Sequence, residues 1–490
     1  MKSNFLFRNK LLFFQTFYLL SILIFWIYFL LHSSLSPDYT SGELYDHFLV
    51  WFEKGALYSS IDQSPYRVLN YPPLFLIFTS AIHTLGFSIL SSGKIVTLLF
   101  FIFGMGVLFR WFQKIGCEKN SALFLIALLG TSFPVFYNIG QWSLQWPAVS
   151  LSLFGLYLIQ TPTKKTNLFL GALFCAIACF VKQTQIIPIF IGFFWLLKYH
   201  RRQSFYFLLI VAFTGGMGAL LLQYYFGEEI WKHLILYTVG SFSYSALLKQ
   251  LSLHALPWII FFSFGIWLGI KNKQERCHLR WWYFVGTTLS LFSSARLGAS
   301  HQYFLEWTVA TLLWIGPSIL PPLFLQIRGR RRAKAALATA RAEGKVKLFS
   351  FLLLFQTLAA DLGVAALLFH HVKDLKESEK NLPQICSNLG DAKIIPSGDP
   401  GLIRACGKLP ALQPFIMTNL SHKNLWDQSA FLTQLSDGNY PFILLPFDLE
   451  KEIEGVNAER WTEKMISTMK ENYQIKTKIN EWRIYQWKEK

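Results

Sequence analysis

Apolar segments of about 17–25 residues, the length that crosses a bilayer as an α-helix, recur along the first 370 residues of the chain. Hydrophobic residues make up 53% of the sequence and charged residues only 15%, whereas about 25% of a typical soluble protein is charged. The first apolar run, Leu11–Leu31, is too long for the core of a signal peptide and lacks a small-residue cleavage site. We therefore predict a polytopic, mainly α-helical membrane protein whose first run stays as an uncleaved helix.

The net charge of +18 belongs to the membrane part of the chain, because residues 371–490 hold 16 basic and 16 acidic side chains. Lys and Arg beside apolar segments set the orientation of a membrane protein and contact anionic lipids. The sequence contains no recognised nucleic-acid-binding motif. The charge pattern therefore predicts membrane lipids as partners and no nucleic acid.

The distribution of basic residues decides which apolar segments cross the membrane. With a cytoplasmic N-terminus, a crossing at Pro72–Phe87 would place Arg110, Lys114 and Lys119 outside, against the positive-inside rule. We therefore predict that this segment lies along the outer surface, and that Glu228–Gln250 forms a second outer helix. The remaining segments predict eleven crossings, at residues 11–31, 95–110, 121–138, 146–161, 166–181, 185–199, 204–226, 256–270, 280–295, 303–326 and 348–369.

The sequence changes character after the last predicted crossing, so we divide it into a transmembrane domain, 1–370, and an extracytoplasmic domain, 371–490. The basic segment Arg328–Lys347 would then face the cytoplasm, and the protein would lie in the cytoplasmic (inner) membrane. Cys386 and Cys406 can pair if the outer compartment is oxidising. Strand-like runs at Pro441–Phe447 and Ile475–Gln486, with an amphipathic helical run at Ala458–Asn472 between them, predict a small α/β domain.

Four of the 28 acidic residues follow the first crossing closely: Asp38, Glu43, Asp46 and Glu53. On a helix Glu43 and Asp46 would share one face, where two carboxylates repel each other. A cation, a ligand or a reaction that uses the carboxylates would offset this repulsion. The alternative is a solvated outer loop with ordinary acidic side chains.

Three cations lie at helix ends on the predicted outer side, although the positive-inside rule moves such residues inward: Lys94, Lys182 and Arg296. An anionic ligand at that surface would explain them, and the planar guanidinium of Arg296 matches the oxygens of a phosphate. Two alternatives need no ligand. Lys182 can extend its ammonium to the interface, and Arg296 can pair with Glu306.

Five stretches, in this order and all on the predicted outer side, resemble the polytopic GT-C glycosyltransferases of the family 39 and family 87 type. They are the acidic loop after the first helix, "NYPPLF" (Asn70–Phe75), "FVKQT" (Phe180–Thr184), "RLGASHQYFLEW" (Arg296–Trp307) and "SGDPGLIRACGKLPALQPF" (Ser397–Phe415). The resemblance covers nearly the whole chain. It implies a GT-C-like fold with outer juxtamembrane helices.

The resemblance also implies an enzyme that transfers a sugar, with inversion, from a polyprenyl-phosphate donor to an extracytoplasmic glycan, lipid or protein. A carboxylate of the first outer loop would act as the general base. The Gly42-Glu43 pair fits the pattern of the relatives. Asp38 and Asp46 stay open as alternatives, because other branches of the family carry an Asp near the position of Ser41.

Further site residues follow from the same resemblance. Lys182, Arg296 and Lys94 would bind the donor phosphate, and the substrate would contact Tyr71, Gln183, His301 and Tyr303. Many relatives have Arg-Pro-Asp where this chain has Gln145-Trp146-Pro147, so the second acidic residue is missing. Some relatives use a divalent cation beside the carboxylate, whereas this sequence shows no His/Cys metal cluster. The resemblance therefore leaves a divalent cation as an open cofactor.

Two other functions remain open at this point. A transporter or flippase for lipid-linked saccharides would carry charged or broken helices at mid-membrane depth and internal repeats, and only Asp361 and Gly215-Gly216 are of that kind. A membrane-anchored tail that binds glycan without chemistry is the third possibility. Soluble nucleotide chemistry is unsupported, because the sequence has no Gly-rich phosphate loop and no GxSxG motif.

Overall fold

A computed structural model of the protein describes residues 2–33, 35, 38–139, 141–238, 240–296, 298–324, 366, 369–370 and 372–489. Helices joined by short loops form the chain up to Phe324. They are α1 (Lys2–His32), α2 (Tyr39–Lys54), α3 (Leu74–His83), α4 (Ile89–Lys114), α5 (Lys119–Gly130), α6 (Phe133–Ile139), α7 (Gln145–Ile159), α8 (Lys165–Cys179), α9 (Ile186–Tyr199), α10 (Arg201–Phe226), α11 (Glu229–Trp231), α12 (Tyr244–Gln250), α13 (Ile259–Lys271), α14 (Leu279–Ser290) and α15 (Gln302–Phe324). The basic segment Arg328–Lys347 and the crossing predicted at 348–369 lie outside the described residues, apart from 366 and 369.

Three helical stretches in the described part of the chain are long and apolar enough to cross a membrane: α4, α10 and Tyr244–Lys271. A fourth is added if α5 and α6, which meet at an angle of 75°, form one broken span. Shorter apolar helices, including α7 and α8, lie among them. The predicted number of eleven crossings is not tested by these lengths and stays a prediction.

The region predicted as a single outer helix, Glu228–Gln250, is divided. Its first part holds α11 and a π-helical turn, Lys232–Leu236. Ser243 then caps a new helix by accepting a hydrogen bond from the Ala246 N–H at 3.2 Å. This helix continues from Tyr244 through α13 to Lys271. The prediction is therefore wrong for Tyr244–Gln250, which begins the next long apolar helix.

Local sequence fixes the bounds of α2 and the start of α3. Asp38 caps α2 by accepting from the Ser41 N–H at 2.8 Å, and Gly55, with φ +67°, ends the helix in the left-handed conformation. The adjacent prolines Pro72 and Pro73 prevent an earlier helix start, so α3 begins at Leu74. The bend predicted at "NYPPLF" is therefore present.

The buried core of the membrane part is rich in tryptophan, including Trp111, Trp146, Trp307 and Trp314. Helices α7 and α8 approach each other closely through small residues. A Cβ atom on Gly155 would lie 2.7 Å from the carbonyl oxygen of Gly171. Small residues allow such backbone contact between membrane helices.

The C-terminal segment combines short helices with two small sheets, which confirms the predicted α/β region. Its strands are β1 (Ile394–Ile395), β2 (Leu409–Pro410), β3 (Phe442–Leu445), β4 (Tyr473–Ile479) and β5 (Trp482–Trp487). β1 pairs with β2 in parallel, and the other sheet is antiparallel in the order β3-β5-β4. Its helices are residues 372–388, Pro400–Ala405, Pro414–His422, Ser429–Ser436, Val456–Arg460 and Glu463–Asn472. The run predicted as one strand, Ile475–Gln486, turns back at Asn480, which has φ +53°.

The C-terminal segment is joined by hydrogen bonds to the loop between α2 and α3. The Tyr66 N–H donates to the Ala411 oxygen at 2.8 Å, and the Gln413 N–H donates to the Tyr66 oxygen at 3.0 Å. Tyr66 and Val68 also belong to the same buried cluster as Met417 and other residues of the C-terminal segment. This loop is therefore part of the hydrophobic core of the C-terminal segment.

Cys386 and Cys406 form a disulfide, the pairing that the sequence allowed. The bond connects the helix at 372–388 to the residue that follows helix Pro400–Ala405. This second helix packs against α2, as described below. The disulfide therefore fixes the part of the C-terminal segment that contacts the acidic outer helix.

Candidate active site

Glu43 lies half-buried on α2, between its own helix and the C-terminal segment. The Tyr39 hydroxyl, one helical turn earlier, is hydrogen-bonded to Glu43. Burial raises the pKa of Glu43 to about 8; Tyr39 and Arg460 oppose the rise, and the charges of Asp46 and Asp38 add to it. A carboxyl group with such a pKa exchanges its proton near neutral pH.

Asp38 is the predicted carboxylate that lines a pocket. One of its carboxylate oxygens caps α2 at Ser41, and burial raises the pKa of Asp38. The same pocket is lined by Tyr71, Trp142 and Gln302. Glu43 is not among the lining residues, so the two carboxylates occupy different surroundings on the same helix.

Asp46 is fully buried and held by two arginines. The Arg404 Nε donates to Asp46 Oδ1 at 2.6 Å, and the Arg67 Nε lies 2.9 Å from Asp46 Oδ2. Arg404 also lies 3.7 Å from Glu53 Oε2. Glu43 and Asp46, predicted to share one helix face, therefore have different partners. Asp46 is paired with Arg67 and Arg404, whereas Glu43 lies beside Tyr39.

Tyr71 lines the same pocket as Asp38. Its pKa is raised mainly by burial, then by Tyr303, Glu43 and Asp38, whereas the positive charge of Arg296 lowers it. Tyr71 is therefore within electrostatic reach of Glu43, Asp38 and Arg296.

Lys182 is buried at the junction between α8 and α9. Its Nζ donates to Gln145 Oε1 at 2.9 Å and lies 5.1 Å from the centroid of the Tyr303 ring. The Gln145 Nε2 in turn donates at 2.8 Å to Gln302, which lines the pocket. Burial lowers the pKa of Lys182 to about 8, Glu306 opposes this effect, and Arg296 adds to it. A chain of two amides thus leads from the Lys182 ammonium to the pocket of Asp38.

The alternative pairing of Arg296 with Glu306 is not formed. Glu306 accepts hydrogen bonds from the Tyr283 hydroxyl at 3.2 Å and from the Gln185 Nε2 at 3.3 Å. The Arg296 side chain instead lies against Gly240, where a Cβ atom would come within 2.1 Å of the Arg296 Nε. The guanidinium of Arg296 is therefore not used by that carboxylate.

Three further predicted residues, Lys94, Gln183 and His301, each have different surroundings. The ammonium of Lys94 is buried in α4 without a hydrogen-bond partner among the described residues. Gln183 donates to the Asn70 oxygen at 2.8 Å. His301 packs edge to face on Tyr137, with ring centroids 4.3 Å apart, and burial lowers its pKa to about 3. His301 is therefore neutral at ordinary pH.

Residues 2–33, 35, 38–139, 141–238, 240–296, 298–324 and 372–489 contain no group of three or more His, Cys, Asp or Glu side chains arranged to hold a metal ion. The Asp38 carboxylate already accepts a backbone N–H, and both Asp46 oxygens face arginines. The described residues therefore do not form a divalent-cation site with three or more such side chains as ligands.

The cations that approach α2 from the C-terminal segment, Arg404 and Arg460, were missed by sequence reasoning. Arg404 lies within the quoted "SGDPGLIRACGK" stretch, but nothing in that stretch indicates that its partner is Asp46. Arg460 lies near the start of the predicted run Ala458–Asn472, with no local signal of a contact. Both contacts join residues several hundred positions apart, which helical periodicity cannot predict.

No protein-family model and no curated protein sequence matches the chain. Solved structures do match its fold. ArnT from Cupriavidus metallidurans bound to undecaprenyl phosphate aligns over 96% of this chain and 97% of its own, with a TM-score of 0.62 and 11% identity. The apo form of the same enzyme aligns over the same shares of the two chains, with a TM-score of 0.64 and 12% identity.

The apo oligosaccharyltransferase of Archaeoglobus fulgidus aligns over 96% of this chain and 73% of its own, with a TM-score of 0.61 and 9% identity. Identities this low show a common fold. The alignments include the membrane helices and the C-terminal segment alike. Together with the apolar helices, they indicate an integral membrane protein, and the chain has the fold of the GT-C membrane glycosyltransferases.

Proposed function

We propose that the chain is a membrane glycosyltransferase that moves a sugar from a polyprenyl-phosphate donor to a hydroxyl of an extracytoplasmic glycan, lipid or protein. The observation that carries this proposal is the pocket lined by Asp38, Tyr71 and Gln302, which two hydrogen bonds through Gln145 connect to the buried ammonium of Lys182. The fold supports it, since the similar ArnT structure holds undecaprenyl phosphate. The donor stores its energy in the bond between sugar and phosphate, so the reaction needs no ATP.

In the proposed reaction Glu43 is the general base. The acceptor hydroxyl attacks the anomeric carbon, its proton passes to the Glu43 carboxylate, and the bond between that carbon and the phosphate oxygen breaks with inversion. The phosphate leaves with the bonding electron pair. A base is most effective when its pKa is close to the working pH, and the pKa of Glu43, raised by burial to about 8, meets this condition.

Asp38 is the second candidate for the base, because it lines the pocket while Glu43 does not. Its carboxylate is already engaged as the cap of α2, which favours Glu43. For Asp46 we propose a structural role, since two guanidinium groups at 2.6 and 2.9 Å compete for its oxygens. The three carboxylates therefore have different proposed roles.

Lys182 and Arg296 are the proposed ligands of the donor phosphate, whose negative charge increases as the sugar leaves. Tyr71, which lines the pocket of Asp38, and Tyr303, which lies next to Lys182, are proposed to contact the sugar. Lys94 stays a third phosphate ligand in the proposal because its ammonium is buried without a hydrogen-bond partner among the described residues. Gln183 and His301 stay proposed substrate contacts.

The sidedness also belongs to the proposal. We place the N-terminus in the cytoplasm and the site and residues 371–490 outside the inner membrane. The disulfide between Cys386 and Cys406 supports an oxidising surrounding for this segment. The boundary at residue 370 separates the proposed transmembrane domain from the proposed extracytoplasmic domain.

The test is sugar transfer from labelled polyprenyl-phosphate sugars by the full-length protein in lipid bilayers, comparing wild type with Glu43→Gln, Asp38→Asn and Asp46→Asn. Glu43→Gln is expected to lower the rate by roughly 10²–10⁴, the usual contribution of a general base. Glu53→Gln, on the same helix but half-exposed, is the matched control. Full activity in all three variants would overturn the carboxylate mechanism. Translocation of labelled lipid across vesicles without a new glycosidic bond would instead identify a flippase.

A further inference from the structure

Arg460 ends helix Val456–Arg460 and is held at three points. Its backbone oxygen accepts from the Thr418 hydroxyl at 2.8 Å, and its Nη1 donates to the Gly398 oxygen at 3.1 Å. Its guanidinium carbon lies 4.2 Å from the centroid of the Tyr39 ring on α2. These contacts fix a cation of the C-terminal segment against the helix that carries the proposed base.

Tyr39 connects this cation to Glu43. Its ring lies under the guanidinium of Arg460, and its hydroxyl is hydrogen-bonded to Glu43 four residues later. The Phe415 N–H of the C-terminal segment lies 3.4 Å from the same hydroxyl and donates to it. Because the hydroxyl accepts this bond, its own proton is directed towards the Glu43 carboxylate.

We propose that Arg460, through Tyr39, is a positioning residue that orients Glu43 and favours the ionised form of its carboxylate. The C-terminal segment then supplies part of the active site. This inference rests on the proposed role of Glu43 as general base. It assigns to residues 371–490 a direct effect on the chemistry, beyond covering the cavity or binding an acceptor.

The charges around Glu43 make the effect of Arg460 specific. On α2 and at its cap, Asp46 and Asp38 oppose ionisation of Glu43, and Tyr39 favours it. From other elements, Arg460 favours ionisation, and Tyr71 lies within electrostatic reach. The neighbouring cations Arg67 and Arg404 are paired with Asp46, and Asp399 lies beside Asp38. Removing the charge of Arg460 would leave Glu43 with two carboxylates and the tyrosine.

The experiment uses full-length Arg460→Gln and Arg460→Lys in lipid bilayers, with Arg483→Gln as a control arginine of the same segment. Arg483 lies on β5, where its Nε is 3.7 Å from the Asp448 carboxylate. Two quantities are followed against pH: the rate of sugar transfer, and the labelling of Glu43 by an apolar carbodiimide, quantified by peptide mass spectrometry. Carbodiimides react with the protonated carboxyl, so the labelling midpoint reports the ionisation of Glu43 without requiring turnover.

In Arg460→Gln both midpoints should move up by about one pH unit, the lower end of the shift that an opposite charge gives to a carboxyl group. At a pH below the midpoint, the rate of sugar transfer by Arg460→Gln should be about tenfold lower than that of the wild type. Arg460→Lys should recover most of the shift, and Arg483→Gln should show none. Unchanged midpoints in Arg460→Gln would overturn the inference.

Two further outcomes are informative. If Arg460→Gln lowers the thermal unfolding temperature in detergent so far that the protein is unfolded under the assay conditions, Tyr39→Phe replaces it. This variant keeps the ring under Arg460 and removes only the hydroxyl, and its labelling midpoint should also rise; an unchanged midpoint would overturn the inference. A shifted labelling midpoint in a protein that transfers no sugar from any donor would refute the proposed function and leave the link between Arg460 and Glu43 intact.

Discussion

Arg404 and Asp46 are 358 positions apart in sequence, and the Arg404 Nε donates to Asp46 Oδ1 at 2.6 Å in a site that excludes solvent. Asp46 is completely buried, and the Arg404 side chain is 5% exposed. Removing one member of a buried ion pair leaves the other charge without compensation, which is costly. This contact therefore links the stability of the acidic outer helix to that of the C-terminal segment.

Asp46→Asn should destabilise the protein by about 3 kcal/mol, because it leaves the buried guanidinium groups of Arg404 and Arg67 without a counter-ion. Thermal unfolding in detergent, and the rate at which protease releases the C-terminal segment, measure this effect. Asp448→Asn is the control, since its pair with Arg483 is partly exposed and 3.7 Å long, and such pairs contribute less than about 1 kcal/mol. Equal effects of the two substitutions would contradict the assignment.

The rate of sugar transfer should rise with pH up to about 8, because burial raises the pKa of Glu43 to about 8 and the base acts only when ionised. Stability should change in the opposite direction. The folded state keeps the Glu43 proton that the unfolded chain loses above its ordinary pKa of 4.5. This group therefore lowers the free energy of unfolding progressively as pH rises from 4.5 to 8. Glu43→Gln should remove that slope in thermal unfolding; an identical slope in both proteins would contradict it.

Much of the fold can be predicted from the sequence, because a helix that crosses a bilayer needs a continuous run of apolar residues, which is a local feature of the sequence. The long apolar helices, the proline bend before α3 and the C-terminal α/β region all depend on patterns within a few tens of residues. The division of Glu228–Gln250 was missed because apolar and aromatic residues recur on both sides of the break. Only the N-cap at Ser243 marks the start of a new helix there.

The candidate site was predictable only in part. Periodicity placed Glu43 and Asp46 on one helix face, but it could not show that Asp46 is paired with Arg67 and Arg404. Such pairing depends on tertiary contacts between distant segments. For the same reason the approach of Arg460 to Tyr39 has no signature in the sequence.

Lys182→Met should weaken binding of the polyprenyl-phosphate donor, because it removes the buried ammonium that lies next to Gln145 and Tyr303. A hydrogen bond to a charged group contributes about 1.5–3 kcal/mol, so KM for the donor should rise about tenfold or more. Burial lowers the pKa of Lys182 to about 8. The KM of the wild type should therefore also rise above that pH, and that of Lys182→Met should not.

The control for this prediction is Lys198→Met at the opposite end of α9, where the side chain is exposed. Its KM should match that of the wild type. A KM for Lys182→Met within twofold of the wild-type value, at every pH from 6 to about 9, would exclude Lys182 as a phosphate ligand.

Cys386 and Cys406 should resist maleimide labelling in intact cells until a reductant is added, whereas the exposed thiol of Cys277 reacts without one once the membrane is permeabilised. Replacing both cysteines by serine removes a disulfide that joins residues 20 positions apart. In the chain-entropy treatment, removing a disulfide that closes a loop of this size lowers the free energy of unfolding by about 3 kcal/mol. The protein should therefore unfold at a lower temperature. Labelling of Cys386 without reductant would place the C-terminal segment in a reducing compartment.

Gly42→Ala should separate α2 from the C-terminal segment, because a Cβ atom at Gly42 would lie 2.8 Å from the Gly401 nitrogen and 3.0 Å from its Cα. Both are backbone atoms, so no side chain can rotate to relieve the contact. Helix Pro400–Ala405 would have to shift, and with it Arg404, which holds Asp46. Sugar transfer and thermal stability should both fall.

Gly106→Ala in α4 is the matched control: its Cβ meets nothing within 4 Å, and alanine is favoured over glycine in a helix by up to about 1 kcal/mol. If Gly42→Ala unfolds at the same temperature as Gly106→Ala and transfers sugar at the same rate, close contact between these two helices is not needed for the site.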